Sequence, residues 1–193
     1  MTLTDEWPMH DDSWQAFSER VTYEDGLHAG CVATSFPIGD LQLVALRERN
    51  LNVLGTLAAF GERRSDASDD ESPMAQDLLR LDNKLNVMMA MLDQLLQRGA
   101  ELPPRQFIRF NAVGALLPTA LWPAGAMSAL LRLHFDGCMA LPLELPARLV
   151  QERDGDHIFV AFESLGDATC DALERLVFRH HRRKVAESRQ ASA

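Results

Sequence analysis

The chain is short of cysteine, and what it has is dispersed. Cys31, Cys138 and Cys170 make an odd count with no CxxC spacing. That excludes a disulfide framework and a cysteine zinc site and fits a reducing, cytoplasmic compartment. No apolar run approaches the ~18 residues that a membrane-crossing helix needs. The first dozen residues are acidic and broken by Pro8, unlike a signal peptide. Positive charge is scarce too: the formal net charge of −9 argues against general binding to nucleic acid or to acidic membranes. GxxxxGK, HExxH and calcium-loop patterns are absent, as is GxGxxG after a strand. His10, His28, His134 and His157 are scattered, and the adjacent His180 and His181 point to different faces of a helix. Nothing selects a catalytic triad. The expectation is a protein that is not an enzyme, with no metal, no cofactor, no nucleic-acid partner and no membrane insertion.

What is present is length-wise apolar order. Met74, Leu78, Leu81, Leu85, Met88, Leu92 and Leu95 recur at alternating spacings of four and three, a heptad seam that keeps one stripe toward a partner helix. A helix of roughly 25 residues extends about 37 Å, more than a small domain covers. With Leu78, Leu85 and Leu92 at a, and Leu81, Met88 and Leu95 at d, the flanking Met89, Met91 and Leu96 are apolar. That width implies contact with more than one neighbour and favours a bundle of four or more helices, hence a homo-oligomer, with a tetramer favoured over a dimer.

A first helix is expected at about 40–60, capped by Asp40. Leu43, Leu46, Asn50, Val53 and Leu57 are again three and four apart, and Leu51 and Leu54 widen the stripe. Asn50 is either a seam residue that fixes register through its amide or a polar residue at the edge of the stripe. The acidic linker GERRSDASDDES follows at 61–72, with Gly61 as a stop. Ser72-Pro73 then starts the second helix, which ends at Gly99. Two such helices fold back most simply as an antiparallel hairpin. The expected division is an N-terminal segment 1–39, partly ordered, pinned by Trp7, Trp14 and Phe17 and able to lend a barrel strand. A helical hairpin for oligomerisation occupies 40–99, and a β domain with a closing helix occupies 100–193. The assembly residues are Leu43, Leu46, Asn50, Leu54 and Leu57 on the first helix, and Leu78, Leu81, Leu85, Met88, Leu92 and Leu95 on the second.

After Gly99 the period becomes two. Residues 106–117 read as one strand interrupted at Gly114. ALLRLHF at 129–135 alternates as a half-buried strand. Residues 139–153 continue as a strand in which Pro142 and Pro146 mark an edge or a kink. Asp154-Gly155 is a hairpin turn, and 157–162 is the return strand. A last helix spans about 167–187, with Leu173, Leu176 and Val177 inward. Its basic end (Arg175, Arg179, Arg182, Arg183, Lys184, Arg189) is either a solvated face or a contact for a phosphate or an acidic partner.

The stretches PPRQFIRFNAVGALLP, ALLRLHF, LPARLVQERDGDHIFVAFESL and ALERLVFRHHRRK resemble the PilZ domain family over residues 104–184. The resemblance implies an α+β fold, a six-stranded antiparallel β-barrel with a C-terminal helix. Here two long heptad helices forming an intermolecular bundle are added to it. The resemblance also implies cyclic di-GMP signalling. The family's ligand motifs are an RxxxR segment and (D/N)xSxxG. In the second motif Gly114 matches, Arg109 replaces the Asp or Asn, and Asn111 replaces the Ser. Arg105 and Arg109 are spaced as RxxxR but lie within the strand that carries the second motif. The expectation is a non-catalytic oligomeric adaptor in cyclic di-GMP or pilus and motility regulation, working with a signalling protein still to be identified and not itself binding the nucleotide. The alternative is a cyclic di-GMP receptor that uses Arg105, Arg109 and the basic terminal helix.

Overall fold

The structure, a computed structural model, describes residues 12–62, 80–81, 84–85, 87–88, 91, 102–136, 138–153 and 156–191. A short helix α1 (Ser13–Ser18) leads into β1 (Tyr23–Ala33) and the 23-residue helix α2 (Asp40–Glu62). Then come β2 (Arg105–Phe110), β3 (Gly114–Pro118), a 3-10 turn at Thr119–Leu121, β4 (Ser128–Phe135), β5 (Cys138–Arg153), β6 (His157–Phe162) and the closing helix α3 (Asp167–Ala191). Arg80, Leu81, Lys84, Leu85, Val87, Met88 and Met91 are helical as well. Of the expected second-helix seam, Leu78, Leu92 and Leu95 lie outside the described residues, as do Trp7 and the Asp154-Gly155 turn.

The six strands pair antiparallel and close into a barrel in the order β1-β2-β3-β6-β5-β4. Alternation places Leu131 and Leu133 of β4 inside, opposite Leu145 and Leu143 of β5, with Ala129 opposite Ala147 and Phe135 opposite Cys138. Ile108 and Phe110, Ala115 and Leu117, and Ile158 and Val160 complete the interior. The stretch 106–117 is two strands, because the chain reverses at 111–113. The segment 23–39, which reads as turns and short strands, supplies an 11-residue strand that pairs with both β2 and β4. The barrel therefore begins well before residue 100. Residues 12–22 are docked: Phe17 is fully buried and packs with Trp14 on Phe159 of β6.

The first helix corrects the expected division. Leu46, Asn50, Val53 and Leu54 are buried and Leu43 and Leu57 half-buried. Val53, Leu54 and Leu57 belong to the same apolar cluster as the barrel interior and α3. The stripe assigned to assembly is thus occupied within its own chain, and α2 is a lid on the barrel, running through Gly61 to Glu62.

The reason lies in β5. Its first half pairs with β4 alone, and β6 joins only from Ala147 onward. On the open edge Pro142 and Pro146 present no N–H, which leaves Glu144 as the donor between them. Asn50 completes that edge as a strand would. Its Nδ2 donates to Glu144 O at 2.7 Å, and its Oδ1 accepts from Glu144 N at 2.9 Å. Glu144 also spans two arginines, Arg132 Nε at 2.9 Å and Arg49 Nη2 at 3.1 Å. Arg47 Nε donates to Ser164 O at 2.9 Å and tethers α2 to the loop before α3. Asn50→Ala should therefore destabilise the domain by about 2–4 kcal/mol, because Glu144 is left with a donor and an acceptor unmet in a buried place. Urea unfolding followed by circular dichroism measures this. A loss below ~1 kcal/mol contradicts the edge-closing role.

Candidate functional site

The motif positions sit where β2 reverses into β3. Asn111 is buried and its amide is used at both ends. Oδ1 accepts from Val113 N at 2.8 Å, an Asx-type turn, while Nδ2 donates to Phe17 O at 3.0 Å and ties α1 to the turn. Asn111 N donates to Gly114 O at 3.1 Å. Gly114 is forced by packing: a Cβ there would stand 2.3 Å from Val160 O and 2.9 Å from the Phe159 ring. Arg109 faces outward from β2, cross-strand from Glu24. Its Nε lies 2.8 Å from Glu24 Oε1 as an ion pair, and its guanidinium lies 5.8 Å from the centre of the Phe17 ring. The structure thus brings Arg109, Asn111 and Gly114 together, and each already has an architectural task. Arg105, at the other end of β2, pairs with Asp136, donates to Gly26 O at 3.0 Å and to His28 Nε2 at 3.2 Å.

Beside this turn runs a groove of about 860 Å³ between the α1–β1 connection and α3. Asn111 and Ala112 line it together with Arg20, Arg175, Arg179, Val21 and Phe178. Glu19, Asp171 and Glu174 line it too, and Arg20 Nη1 is paired with Glu174 at 3.1 Å. The groove therefore carries arginines and carboxylates in balance around an apolar floor. Arg20 and Val21 were not legible as site residues, since nothing local distinguishes them. Phe178 had a signal, as an aromatic on the polar side of the last helix.

Further along α3 a ring stack seats the helix on β1. His180, buried, lies on Tyr23 with ring centres 3.7 Å apart. Its Nε2 donates to Glu24 O at 3.2 Å, and its Nδ1 faces Arg183 Nη2 at 3.4 Å. Lys184 also reaches Glu24 O, and Asp25 Oδ2 lies 4.0 Å from the ring nitrogen. A neutral imidazole satisfies this arrangement, whereas a proton on Nδ1 would face a guanidinium. Desolvation by burial, helped by Lys184 and Arg183, lowers the His180 pKa from its ordinary 6.5 against the Glu24 hydrogen bond and Asp25. Burial also pushes the Cys31 thiol up to about 12 and raises that of Cys170, the opposite of an activated nucleophile. Among the described residues no three His, Cys, Asp or Glu side chains are grouped to hold a metal ion, and no helix is long and apolar enough to cross a membrane.

A six-stranded antiparallel barrel closed by a C-terminal helix, with a glycine-bearing turn at its ligand-motif position, defines the class of the domain. A family model for the atypical PilZ domain, described as a cyclic di-GMP receptor, matches residues 54–190. The chain belongs to the atypical PilZ domain family. Among solved structures it is similar to a protein of Xanthomonas campestris, described as a pathogenic protein and a tetrameric PilZ domain self-assembled via an unusual helical bundle. The TM-score is 0.69 at 26% identity, over 88% of this chain and 93% of that one. No curated protein matches.

Two outcomes follow from the geometry. Gly114→Ala should cost about 3 kcal/mol or prevent folding, since the added methyl meets backbone; unchanged thermal unfolding contradicts the packing reading. His180, with its pKa depressed in the fold, contributes stability that is full above pH 6.5 and is lost as the pH falls toward the folded-state value. Urea midpoints at pH 7.5 and pH 5 should show the decline, and His180→Phe should flatten it. An equal decline in the variant assigns it to other groups.

Proposed function

We propose that this protein is a non-catalytic, cytoplasmic signalling adaptor with a divergent PilZ domain, acting in cyclic di-GMP or pilus and motility regulation. It assembles with copies of itself through the helical stretch that carries Leu81, Leu85 and Met88 and does not itself hold cyclic di-GMP. The observation that carries this reading is the internal use of the motif positions. Asn111 and Arg109 each have partners within the chain, and Gly114 serves close packing. A cyclic dinucleotide carries two negative charges. Entering the adjacent groove, it meets Glu19, Asp171 and Glu174 as well as the arginines, and must compete with the Arg20–Glu174 pair.

Assembly is supported by apolar exposure. Leu85 and Met88, in a helical stretch at a and d positions, are 55% and 58% exposed in the single chain, and Leu81, Val87 and Met91 are similarly open. Isolated soluble chains rarely leave so many large apolar side chains contiguous and uncovered. The relative from Xanthomonas campestris, described as a tetramer built through a helical bundle, supports a tetramer here over a dimer. The second reading, a receptor with an altered residue set, rests on Arg20, Arg175 and Arg179 lining a groove beside the motif turn.

Light scattering and titration calorimetry with cyclic di-GMP decide between them. The expected result is a stable oligomer without nucleotide and no binding up to about 100 μM, a level that corresponds to about −5.5 kcal/mol. Tight binding selects the receptor. Leu85→Asp should leave the barrel's circular dichroism intact and lower the solution mass, because the seam would bury an unpaired charge. An unchanged mass refutes the seam.

A further inference from the structure

The groove beside the motif turn is open, and its charges are unequally engaged. Phe178 and Val21 stand on its walls 56% and 46% exposed. Of its three carboxylates, Glu174 is held by Arg20 and Glu19 accepts the Gln15 amide at 2.8 Å. Of its three arginines, Arg175 and Arg179 have no ion-pair partner among the described residues. Within the lining, Asp171 alone is left to offset those two. Arg182 adds a further cation beside the groove, its guanidinium 6.0 Å from the centre of the Phe178 ring. An apolar centre flanked by unpaired guanidinium groups fits an acidic segment that also carries an aromatic side chain.

The chain carries such a segment next to the groove. Residues 1–11, outside the described residues, hold Asp5, Glu6 and Asp11 with no Lys or Arg, and Leu3, Trp7 and Met9 among them. They join the fold at Asp12, where α1 begins, and the chain leaving α1 forms the groove wall at Glu19, Arg20 and Val21. The five residues from Asp12 back to Trp7 reach up to about 17 Å, whereas α1 rises about 9 Å, so Trp7 is within reach of the groove. Pro8 biases Trp7 toward extended backbone, which suits a strap laid along a groove. The acidic linker at 61–72 is the other segment of matching charge, but it includes Arg63 and Arg64 and has no large apolar side chain to cover Phe178. We propose that residues 1–11 dock in this groove, with Trp7 against Phe178 and Val21, and Asp5 and Glu6 against Arg175 and Arg179. The surface beside the motif turn is then covered from within the chain. Such a strap serves an adaptor, whose groove it covers, and equally a receptor, whose groove it guards, so it stands apart from the nucleotide question.

The test uses the full chain and the fluorescence of Trp7, isolated as the difference between the wild type and Trp7→Phe. Docked, Trp7 emits to the blue and is shielded from acrylamide. Two changes to α3 then remove the site: Phe178→Ala, and separately Arg175→Glu combined with Arg179→Glu. These positions are exposed or half-buried, so the circular dichroism of the fold should be kept. In each variant, measured against its own Trp7→Phe control, the Trp7 emission should move to the red and its quenching should rise to that of free tryptophan. Emission like that of free tryptophan in the wild type overturns the proposal, and so does shielding that either change to α3 leaves intact. Cyclic di-GMP titrated into the wild type is read separately: binding refutes the non-binding reading, while the shielding of Trp7 in the nucleotide-free chain still decides the strap.

Discussion

One side-chain amide holds the architecture together. Asn50 offers Glu144 the donor and acceptor that a neighbouring strand would have offered, on the half of β5 that β6 does not reach. Pro142 and Pro146, on either side of Glu144, have no N–H to offer along that edge. The same contact seats α2, and α2 covers the apolar layer shared with α3. An edge that would otherwise invite strand addition is thus converted into a helix-docking site. The carboxylate of Glu144 reinforces it by joining Arg49 of the helix to Arg132 of β4.

The turn between β2 and β3 follows a similar logic. In the family's ligand motif this position offers polar side chains to a nucleotide. Here Asn111 turns its amide inward, closing the turn through Val113 and capturing the end of α1 through Phe17. Arg109 stays outside but is engaged by Glu24 and lies over the Phe17 ring. The N-terminal helix is thus a partner of the motif residues within the chain. Gly114 persists for a reason separate from ligand binding, since Val160 and Phe159 leave no room for a side chain.

How much of this was readable depended on the kind of signal. β4, β5, β6 and α3 were legible because a strand or helix with one buried face writes its period into the apolar residues. β1 was not, since YEDGLHAGCVA carries two glycines together with Glu24, Asp25 and His28, and only pairing on both edges makes it a strand. The break between β2 and β3 was also hidden. Its signal is the Asx turn at Asn111, which has no meaning until Val113 and Phe17 are in place. The motif residues themselves were legible as a group, but their occupation by α1 was not, because Phe17 lies 94 residues away from Asn111 in the chain.

Apolar periodicity by itself determined that a helix at about 40–60 would carry a wide apolar stripe, and that the last third of the chain would be strands closed by a helix. Which side of α2 meets the barrel was decided only by tertiary structure. The two sides of a wide stripe are equivalent along a sequence. What distinguishes them is a backbone donor at Glu144, framed by two prolines and reachable by the amide of Asn50. Hydrogen-bond satisfaction at that edge, not hydrophobicity, selects the face that turns inward and leaves the other exposed.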